Sequence, residues 1–472
     1  MSQTYDIVVI GAGPGGYEAA IKAAQLEKKV ALIEKNAVGG TCLNRGCIPT
    51  KALMHSAHLL EEMKNCEELG IKAEQVSVDF GQLHERKSQV VGQLQDGICQ
   101  LLKANKIDLF QGKAVITEPG QIKVTTEEEN LEISADKILI ATGSVPSRPP
   151  IPGLDLPGVV TSDEILEGAG KEFSHLIIIG GGVIGIELAT VYEALGTKVT
   201  VIEAMKQILP NLDKEISRNM AMILKKKDVD VHTGAMVKQV AECDGGLAVT
   251  YEEKGKEVTV EGDGVLVSIG RRANIEGLFE GEPLVETERG AIVVDENFKT
   301  SVDGIYAIGD AVYRNIQLAH VASAQGISTV CHMFGVESEL DLSLVPSCIY
   351  TSPEIAAVGM TADQAKEAGI AAKESKFLMS ANGKSLISRE ERSFIKVLFE
   401  EESHRIIGAN MMCARATDMI SEFSLAIEKK MTLEDMASII RPHPTYAEGI
   451  TEAVEAGLGC SIHSAPARKP RK

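Results

Sequence analysis

Residues 5–35 have the sequence YDIVVIGAGPGGYEAAIKAAQLEKKVALIEK, and this stretch decides the fold. A run of β-branched residues predicts a buried strand that ends in the turn G-x-G-x-x-G. An alanine-rich helical stretch follows, and a second apolar strand closes on Glu34. In such a unit the first glycine makes the tight turn, the second lets backbone amides approach a pyrophosphate, and the third lets helix and strand pack closely. The stretch therefore predicts a βαβ unit that binds a dinucleotide.

The same pattern occurs again at residues 174–204, SHLIIIGGGVIGIELATVYEALGTKVTVIEA. A single G-x-G-x-x-G is weak evidence, but each copy here follows a strand, opens a helix and carries an acid 23 residues after the first glycine. Two such units predict an α/β fold with two dinucleotide sites. The predicted binding residues are Gly11, Gly13, Gly16 and Glu34 in the first copy and Gly180, Gly182, Gly185 and Glu203 in the second.

The second site is predicted to prefer NAD to NADP. The carboxylate of Glu203 can accept hydrogen bonds from ribose hydroxyls, and its negative charge would repel a 2′-phosphate. Ala204 and Met205 follow it, so no arginine is placed to bind such a phosphate. Lys206 is the one nearby residue that argues the other way.

Two cysteines, Cys42 and Cys47, lie close together in 39-GGTCLNRGCIPTKAL-53, whereas the chain's other seven are scattered singly. Zinc would need four ligands, and no second Cys or His pair lies nearby, so the sequence predicts no metal site. The scattered cysteines are not a secreted disulfide framework, which disfavours a structural staple. Pro49 suits the first turn of a helix, so Cys47 is expected at a helix N-terminus, where the dipole favours a thiolate. The pair is interpreted as a redox disulfide, with an irregular turn allowed by Gly46.

Composition excludes several other classes of protein. With 44% hydrophobic and 24% charged residues, the 472-residue chain is ordinary for a globular protein and long enough for several domains. Its net charge of −19 argues against nucleic-acid binding, and its apolar runs are too short to span a membrane. The first strand has no secretory signal before it, so a cytoplasmic location is expected. The basic tail 466-PARKPRK-472 is expected to be solvated and disordered.

The cysteine segment closely resembles the redox-active motif of the flavoprotein disulfide reductases, and among them that of the dihydrolipoamide dehydrogenases. The resemblance covers almost the whole chain, since it continues through 141-ATGS-144, 305-IYAIGDA-311 and 443-HPTYAE-448. It implies FAD in the first dinucleotide site and NAD in the second. The implied fold is glutathione-reductase-like α/β, with two Rossmann-like nucleotide-binding domains and an α+β C-terminal dimerisation domain.

The resemblance also implies roles for the matching residues. Cys42 would be the thiol that meets the substrate, and Cys47 would be the thiol beside the flavin. Lys51 would approach the flavin and form an ion pair with Glu187. The other implied cofactor contacts are Thr142, Gly143, Asp310 and Ala319 at FAD, and Gly270 at NAD.

A base is expected near the C-terminus, because thiol–disulfide exchange needs a thiolate to attack sulfur. His443 lies between Pro442 and Pro444, and Glu448 follows it closely enough to orient its ring. From the residues alone, an ordinary surface or core histidine remains an alternative. The family motif HPT-x-x-E implies that His443 is the base, that Glu448 orients it, and that it serves the disulfide of the other subunit of a homodimer.

The resemblance further implies how the chain is divided and what it does. The predicted domains are 1–145 with 273–342 for FAD, 146–272 for NAD, and 343–472 for the dimer interface. The implied activity is NAD⁺-dependent oxidation of protein-bound dihydrolipoamide. The implied partners are the lipoyl domains of a 2-oxo acid dehydrogenase acyltransferase or the H protein of glycine cleavage.

For each alternative function, one feature of the sequence argues against it. Glutathione-type reductases normally use NADPH, which Glu203 disfavours. Mercuric reductases would carry a paired cysteine near the C-terminus, where Cys460 stands alone, and soluble transhydrogenases lack the cysteine pair. A flavin-bearing adaptor that only holds a complex together would not need the intact catalytic motifs.

Overall fold

The computed structural model describes residues 3–167, 172–390 and 392–465, so the expectation for the basic tail lies outside the described residues. Within them, none of the helices has the length and apolar character needed to cross a membrane. The chain forms two compact units, one from residues 1–204 with 235–342 and one from residues 205–234 with 343–472.

Helices occur in both units of the described chain. The α-helices are α1 Pro14–Gln25, α2 Gly40–Arg45, α3 Cys47–Lys64, α4 Phe80–Ala104, α5 Ser162–Glu167, α6 Val183–Ala194, α7 Lys214–Lys226, α8 Ala319–Met333, α9 Ala362–Glu367, α10 Gly383–Ile387, α11 Ala416–Glu428, α12 Leu433–Ala437 and α13 Glu448–Leu458. Short 3₁₀ turns lie at Cys66–Leu69, Gly309–Ala311 and Met379–Ala381.

Many of the strands are short. In chain order they are β1 Gln3–Ile10, β2 Val30–Glu34, β3 Asp108–Gln111, β4 Lys113–Glu118, β5 Gln121–Thr125, β6 Asn130–Ile140, β7 Ser144–Pro146, β8 Val159–Thr161, β9 His175–Ile179, β10 Lys198–Glu203, β11 Asp230–Thr233, β12 Ala235–Cys243, β13 Gly246–Glu253, β14 Lys256–Gly262, β15 Gly264–Val267, β16 Arg271–Ala273, β17 Thr287–Glu288, β18 Ala291–Ile292, β19 Ile305–Ala307, β20 Ser347–Ile349, β21 Ile355–Gly359, β22 Ala372–Leu378, β23 Phe394–Glu400 and β24 Ile406–Met412.

The first unit is built on a mixed sheet. Its strands β3, β2, β1 and β6 are parallel in that order, β19 is also parallel to β6, and β5 and β4 extend the sheet antiparallel. Ile10 at the end of β1 is in register with Ile33 and Ile140, so the three strands end at one edge. Every residue of β2 is buried, as expected for a parallel sheet covered on both faces. The glycine turn after β1 and the acid that ends β2 therefore meet at the carboxyl edge of this sheet, where α/β folds bind ligands.

A second parallel sheet in the same unit has the order β10-β9-β15-β8. It repeats the strand, helix and strand order of the first sheet through β9, α6 and β10, as the repeated sequence pattern predicts. The antiparallel strands β12, β13 and β14 share a buried apolar core with this sheet, which includes Ile177, Val249 and Val265.

The chain passes between the two sheets on an antiparallel ribbon made by β7 and β16. Ser144 pairs with Ala273, and Pro146 pairs with Arg271. Both predicted boundaries of the NAD-binding domain, at 145/146 and 272/273, fall on this ribbon. The division into three domains stays a prediction.

The second unit is built on an antiparallel sheet of order β20-β21-β24-β23-β22. Side chains from β23, β24, α11 and α13 share its buried core, which includes Phe423 and Val454. Residues 205–234 cluster with this unit, although the sequence assigns them to the NAD-binding domain. A buried Lys396 ammonium there lies 3.2 Å from the Asp213 carboxylate and 2.9 Å from that of Glu215.

Candidate functional site

The first glycine turn leaves no room for a side chain at its first or last glycine. Gly11 has a φ of +102°, and a Cβ there would lie 2.4 Å from the carbonyl oxygen of Ala141. A Cβ on Gly16 would lie 1.8 Å from the carbonyl oxygen of Gly11. Glycine is therefore required at both positions by backbone contacts that have no room to adjust.

The second glycine turn repeats this geometry. Gly180 has a φ of +110°, and a Cβ there would lie 2.5 Å from the carbonyl oxygen of Ser268. A Cβ on Gly185 would lie 2.0 Å from the carbonyl oxygen of Gly180. The two turns, far apart in sequence, therefore require glycine at equivalent positions. This indicates that both bind the same kind of ligand.

The middle glycine of each turn faces open space at the start of a helix. A Cβ on Gly182 would meet no heavy atom within 4 Å, and one on Gly13 would meet only the Cα of Gly40, at 3.9 Å. Gly13 and Gly182 are the N-caps of α1 and α6, and neither helix has a side-chain cap. Backbone N–H groups therefore point into free space at a positive dipole end, which fits a pyrophosphate.

Each closing acid is bound to its own glycine turn. Glu34 Oε2 accepts a hydrogen bond of 2.7 Å from the N–H of Ala12, and Glu203 Oε2 accepts one of 2.6 Å from the N–H of Gly181. The sequence predicts a ribose contact for both acids, and each carboxylate keeps lone pairs for that contact. The hydrogen bonds seen here fix the acids at the edge of the turn.

An open cleft of about 480 Å³ lies at the carboxyl edge of the first sheet. Its lining includes Gly11, Glu34, Lys35, Thr142 and Asn274. The hydroxyl oxygen of Thr142 is buried and has no hydrogen-bond partner among the described residues. A buried hydroxyl without a partner costs free energy, so it is well suited to bind a ligand that fills the cleft. The cleft, this hydroxyl and the uncapped helix together fit the adenosine and phosphate end of a dinucleotide.

The other predicted cofactor residues lie on turns around the two sheets. Asp310 is in the 3₁₀ turn after β19, where Ser144 Oγ donates a 2.6 Å hydrogen bond to it and burial raises the pKa of its carboxyl. Ala319 is the first residue of α8, which packs on α1. Gly143 and Gly270 have φ values of +68° and +113°.

The predicted redox pair lies at a break between two helices. Cys42 is within α2, Gly46 separates α2 from α3, and Cys47 is the first residue of α3. A Cβ on Gly46 would lie 2.9 Å from the carbonyl oxygen of Thr41, which keeps this break tight. Both cysteines are free thiols that share a hydrogen bond, and Cys47 is the more exposed of the two. The irregular turn and the helix N-terminus expected from the sequence are both present.

The environment of the pair separates the acidities of its two thiols. The hydrogen bond with Cys42, together with the positive charge of Lys51, lowers the pKa of the Cys47 thiol to about 7. The same hydrogen bond, together with burial, raises the pKa of the Cys42 thiol. Lys51 Nζ lies 3.0 and 2.8 Å from the two carboxylate oxygens of Glu187, so the predicted ion pair is formed. The dithiol form therefore holds one thiolate, on Cys47, close to neutral pH.

Replacing Lys51 by Met should raise the pKa of Cys47 by about one unit or more, because a nearby positive charge is lost and the Glu187 carboxylate keeps its negative charge. The measurement is a pH titration of the ultraviolet thiolate absorbance of the reduced protein. K64M is the matched control, since Lys64 lies on the same helix but donates to the carbonyl of Ala194. An unchanged titration in K51M would contradict this account of the thiolate.

The predicted base and its orienting acid are joined in the second unit. His443 Nδ1 lies 2.8 Å from Glu448 Oε1, and the N–H of Thr445 donates to Glu448 Oε2 at 2.8 Å. Burial of the carboxyl is opposed by these two hydrogen bonds, and the net effect lowers the pKa of Glu448. Glu448 is therefore ionised and fixes the imidazole ring, whose side chain is 79% exposed. An exposed, oriented imidazole can accept a proton from a ligand.

Several residues near Cys42 and Cys47 make contacts that the sequence motifs do not predict. Arg271 Nη1 lies 2.9 Å from Asp163 Oδ1, and Arg271 Nε donates to Ser144 Oγ at 2.9 Å. The side-chain amide of Asn44 donates to the carbonyls of Val38 and Gly40, at 3.0 and 2.8 Å. The arginine network joins residues more than 100 positions apart, which only the folded chain brings together.

The fold and site define a redox enzyme that binds two dinucleotides and works through a cysteine pair. The chain belongs to the pyridine nucleotide-disulphide oxidoreductase family, whose sequence profile matches residues 5–326. The dimerisation domain of the same family matches residues 345–454.

Individual relatives agree with this placement. The chain is 42% identical to a dihydrolipoyl dehydrogenase of Bacillus subtilis over 97% of both chains. Its structure is similar to LpdA from Mycobacterium tuberculosis, with a TM-score of 0.87 and 27% identity over 96% of this chain and 99% of that one. It is also similar to the Cu(II) complex of the HOCl-induced flavoprotein disulfide reductase RclA from Escherichia coli, with a TM-score of 0.85 and 29% identity over the same shares of the two chains.

Proposed function

We propose that this chain oxidises dihydrolipoamide to lipoamide and reduces NAD⁺ to NADH. The observation that carries the proposal is the Cys42–Cys47 pair, with Lys51 and Glu187 beside it, in a unit that has two dinucleotide-binding turns. A full-length identity of 42% to a dihydrolipoyl dehydrogenase supports the same substrate. The chain is an oxidoreductase and a flavoprotein, and its cofactors are FAD and NAD.

The chemistry of the pair is thiol–disulfide exchange that starts from its oxidised form. His443 of the partner subunit takes a proton from one substrate thiol, and the resulting thiolate attacks Cys42 Sγ. The Cys42–Cys47 bond breaks, and Cys47 leaves as a thiolate, for which its pKa of about 7 is suited. The second substrate thiol loses its proton and attacks the mixed disulfide at the substrate sulfur, which releases Cys42. The substrate has then lost two electrons and two protons, and the cysteine pair holds the electrons.

The cofactors are held by the residues whose geometry fits them. Gly11, Gly13 and Glu34, with the free hydroxyl of Thr142, would hold FAD, and the turn from Gly180 to Gly185 with Glu203 would hold NAD. Asp310, Ala319 and Gly143 are proposed to lie at FAD and Gly270 at NAD. When bound, FAD relays the pair's electrons and NAD⁺ accepts them as hydride, which returns the cysteines to the disulfide.

The partners follow from the substrate and from the dimerisation domain. We propose a homodimer in which each Cys42 is served by His443 of the other subunit, since residues 345–454 match the dimerisation domain. Lipoyl domains of a 2-oxo acid dehydrogenase acyltransferase, or the H protein of glycine cleavage, would bring the dihydrolipoamide. The seven cysteines outside the pair are scattered singly and do not form a secreted disulfide framework, so we propose the cytoplasm.

The test is oxidation of free dihydrolipoamide by the flavin-loaded protein, with NAD⁺ and NADP⁺ compared side by side. Rapid turnover with NAD⁺ and little with NADP⁺ is the expected result. Absence of turnover, while NADH still bleaches the flavin, would keep the electron path but overturn the substrate. Equal turnover with both nucleotides would overturn the role of Glu203 instead.

Replacing Glu203 by Gln should raise kcat/KM for NADP⁺ by about tenfold relative to NAD⁺, because the carboxylate no longer repels a 2′-phosphate. The side-chain oxygen of Gln can still accept the hydrogen bond from the N–H of Gly181, so the turn keeps its support. Steady-state kinetics with both nucleotides measures the ratio. E34Q is the matched control at the first turn, and it should leave the NAD⁺/NADP⁺ ratio unchanged. An unchanged ratio in E203Q would mean that another residue selects the nucleotide.

A metal-reducing function is the alternative, and the Cu(II) complex of RclA is the comparison that raises it. Among the described residues, no group of three or more His, Cys, Asp or Glu side chains is arranged to hold a metal ion. Cys460, near the C-terminus, is exposed and free. The dithiol substrate therefore accounts for the described residues better than a metal ion does.

A further inference from the structure

The helix that carries Cys42 is short and depends on its contacts with neighbouring elements. α2 has six residues, and Leu43 is its buried residue. A helix this short is marginal without tertiary contacts. Its position therefore depends on tertiary contacts. Leu43 packs in the core, Asn44 binds the carbonyls of Val38 and Gly40, and polar contacts of Thr41 and Arg45 hold its two ends.

Arg45 joins the end of α2 to α5. Its Nη1 lies 2.8 Å from Glu167 Oε1, and its Nε lies 3.9 Å from Asp163 Oδ2. Asp163 and Glu167 are four residues apart, so they lie on one face of α5, and one guanidinium can reach both carboxylates. The side chains of Arg45 and Asp163 are 20% and 16% exposed, so their contact is less screened than a surface pair, whereas Glu167 is 50% exposed.

The other end of α2 is bound to the same carboxylate through a second arginine. Arg271 Nη1 lies 2.9 Å from Asp163 Oδ1, and Arg271 Nη2 donates to Thr41 Oγ1 at 3.4 Å. Arg271 Nη2 also donates to the carbonyl of Ser144 at 2.9 Å, and its side chain is 10% exposed. Asp163 therefore contacts both Arg45, the last residue of α2, and Arg271, which binds Thr41 just before Cys42.

We propose that Arg45 and Asp163 are positioning residues that hold Cys42 against Cys47. This assignment rests on the proposed redox role of the pair. The stability of a disulfide relative to its dithiol depends on the effective concentration of one thiol at the other. If α2 loosens, that concentration falls, and the disulfide becomes easier to reduce. The arginine that stands between the two cysteines in the sequence thus tunes their redox equilibrium through position.

The test equilibrates the FAD-loaded R45Q protein with glutathione buffers and counts free Cys42 and Cys47 thiols by alkylation and mass spectrometry. The disulfide-forming equilibrium constant should fall about tenfold, which corresponds to about 30 mV for a two-electron couple. D163N should shift it at least as far in the same direction, because both arginines lose their shared partner. R45K should restore most of the wild-type value, since it keeps a cation at the same place.

R148Q is the matched control. Arg148 lies 2.7 Å from Glu164, so it also pairs with α5, but its other hydrogen bond goes to the carbonyl of Leu154. Its redox equilibrium should equal that of the wild type, whatever its thermal stability. Equal shifts in R148Q and R45Q would attribute the effect to general loosening of α5 and overturn the assignment. A wild-type equilibrium in both R45Q and D163N would also overturn it, whereas a wild-type pair that never oxidises would overturn the proposed function itself.

Discussion

Replacing Cys47 by Ser should lower dihydrolipoamide turnover by at least about three orders of magnitude while FAD stays bound. A serine cannot form the disulfide that accepts the substrate's electrons, so a substrate thiolate that reaches Cys42 has no leaving group to displace. The first glycine turn and Glu34, which would hold FAD, do not involve this side chain. The measurements are turnover with NAD⁺ and the flavin absorbance of the purified protein.

The control for this substitution is C99S. Cys99 is also an exposed free thiol and lies on α4, but it has no predicted role. C99S should keep wild-type turnover, which separates loss of the redox pair from a general effect of removing a thiol. Wild-type turnover in C47S would remove the disulfide from the mechanism, although both dinucleotide sites could still be functional.

The parallel sheets could be predicted because their signals are local. Each βαβ unit combines a β-branched strand, a glycine turn and an alanine-rich helix within about 30 residues. The structure places these strands and helices where the pattern predicts them. The helix after the cysteines begins at Cys47, two residues before Pro49, so the proline lies inside its first turn.

The support around the site could not be predicted, because it depends on pairings between distant residues. Asp163 lies on a short helix with no motif, and its partner Arg271 is 108 positions away. The sequence leaves the effect of Arg45 on the cysteine pair without an account, because a charge's effect depends on which carboxylates surround it. Lys51 and Glu187 are 136 positions apart, and only the family resemblance pairs them in advance. Sequence spacing therefore predicts sites whose residues lie within one βαβ segment. Ion pairs between distant residues become visible only in the folded structure.

Replacing His443 by Gln should lower kcat/KM for dihydrolipoamide by roughly 10²–10³-fold near neutral pH, because no other group takes the substrate's proton. The loss should shrink as pH rises toward the thiol's own pKa, where the substrate supplies its own thiolate. E448A should cost less, about tenfold, since it removes the orienting bond of 2.8 Å but keeps the imidazole. A pH profile of H443Q parallel to that of the wild type would contradict a role as base.

Mixed dimers decide which chain's histidine acts. C42S and H443Q subunits are each inactive as homodimers, but a dimer of one C42S and one H443Q subunit has an intact Cys42 on one chain and an intact His443 on the other. If the two residues meet across the interface, one of its two sites is complete, and such dimers should recover about half of wild-type activity per dimer. Pairing C42S with a C42S/H443Q subunit is the matched control and should recover none. No recovery in the first mixture would mean that His443 does not serve the other subunit's Cys42, even if H443Q alone is inactive.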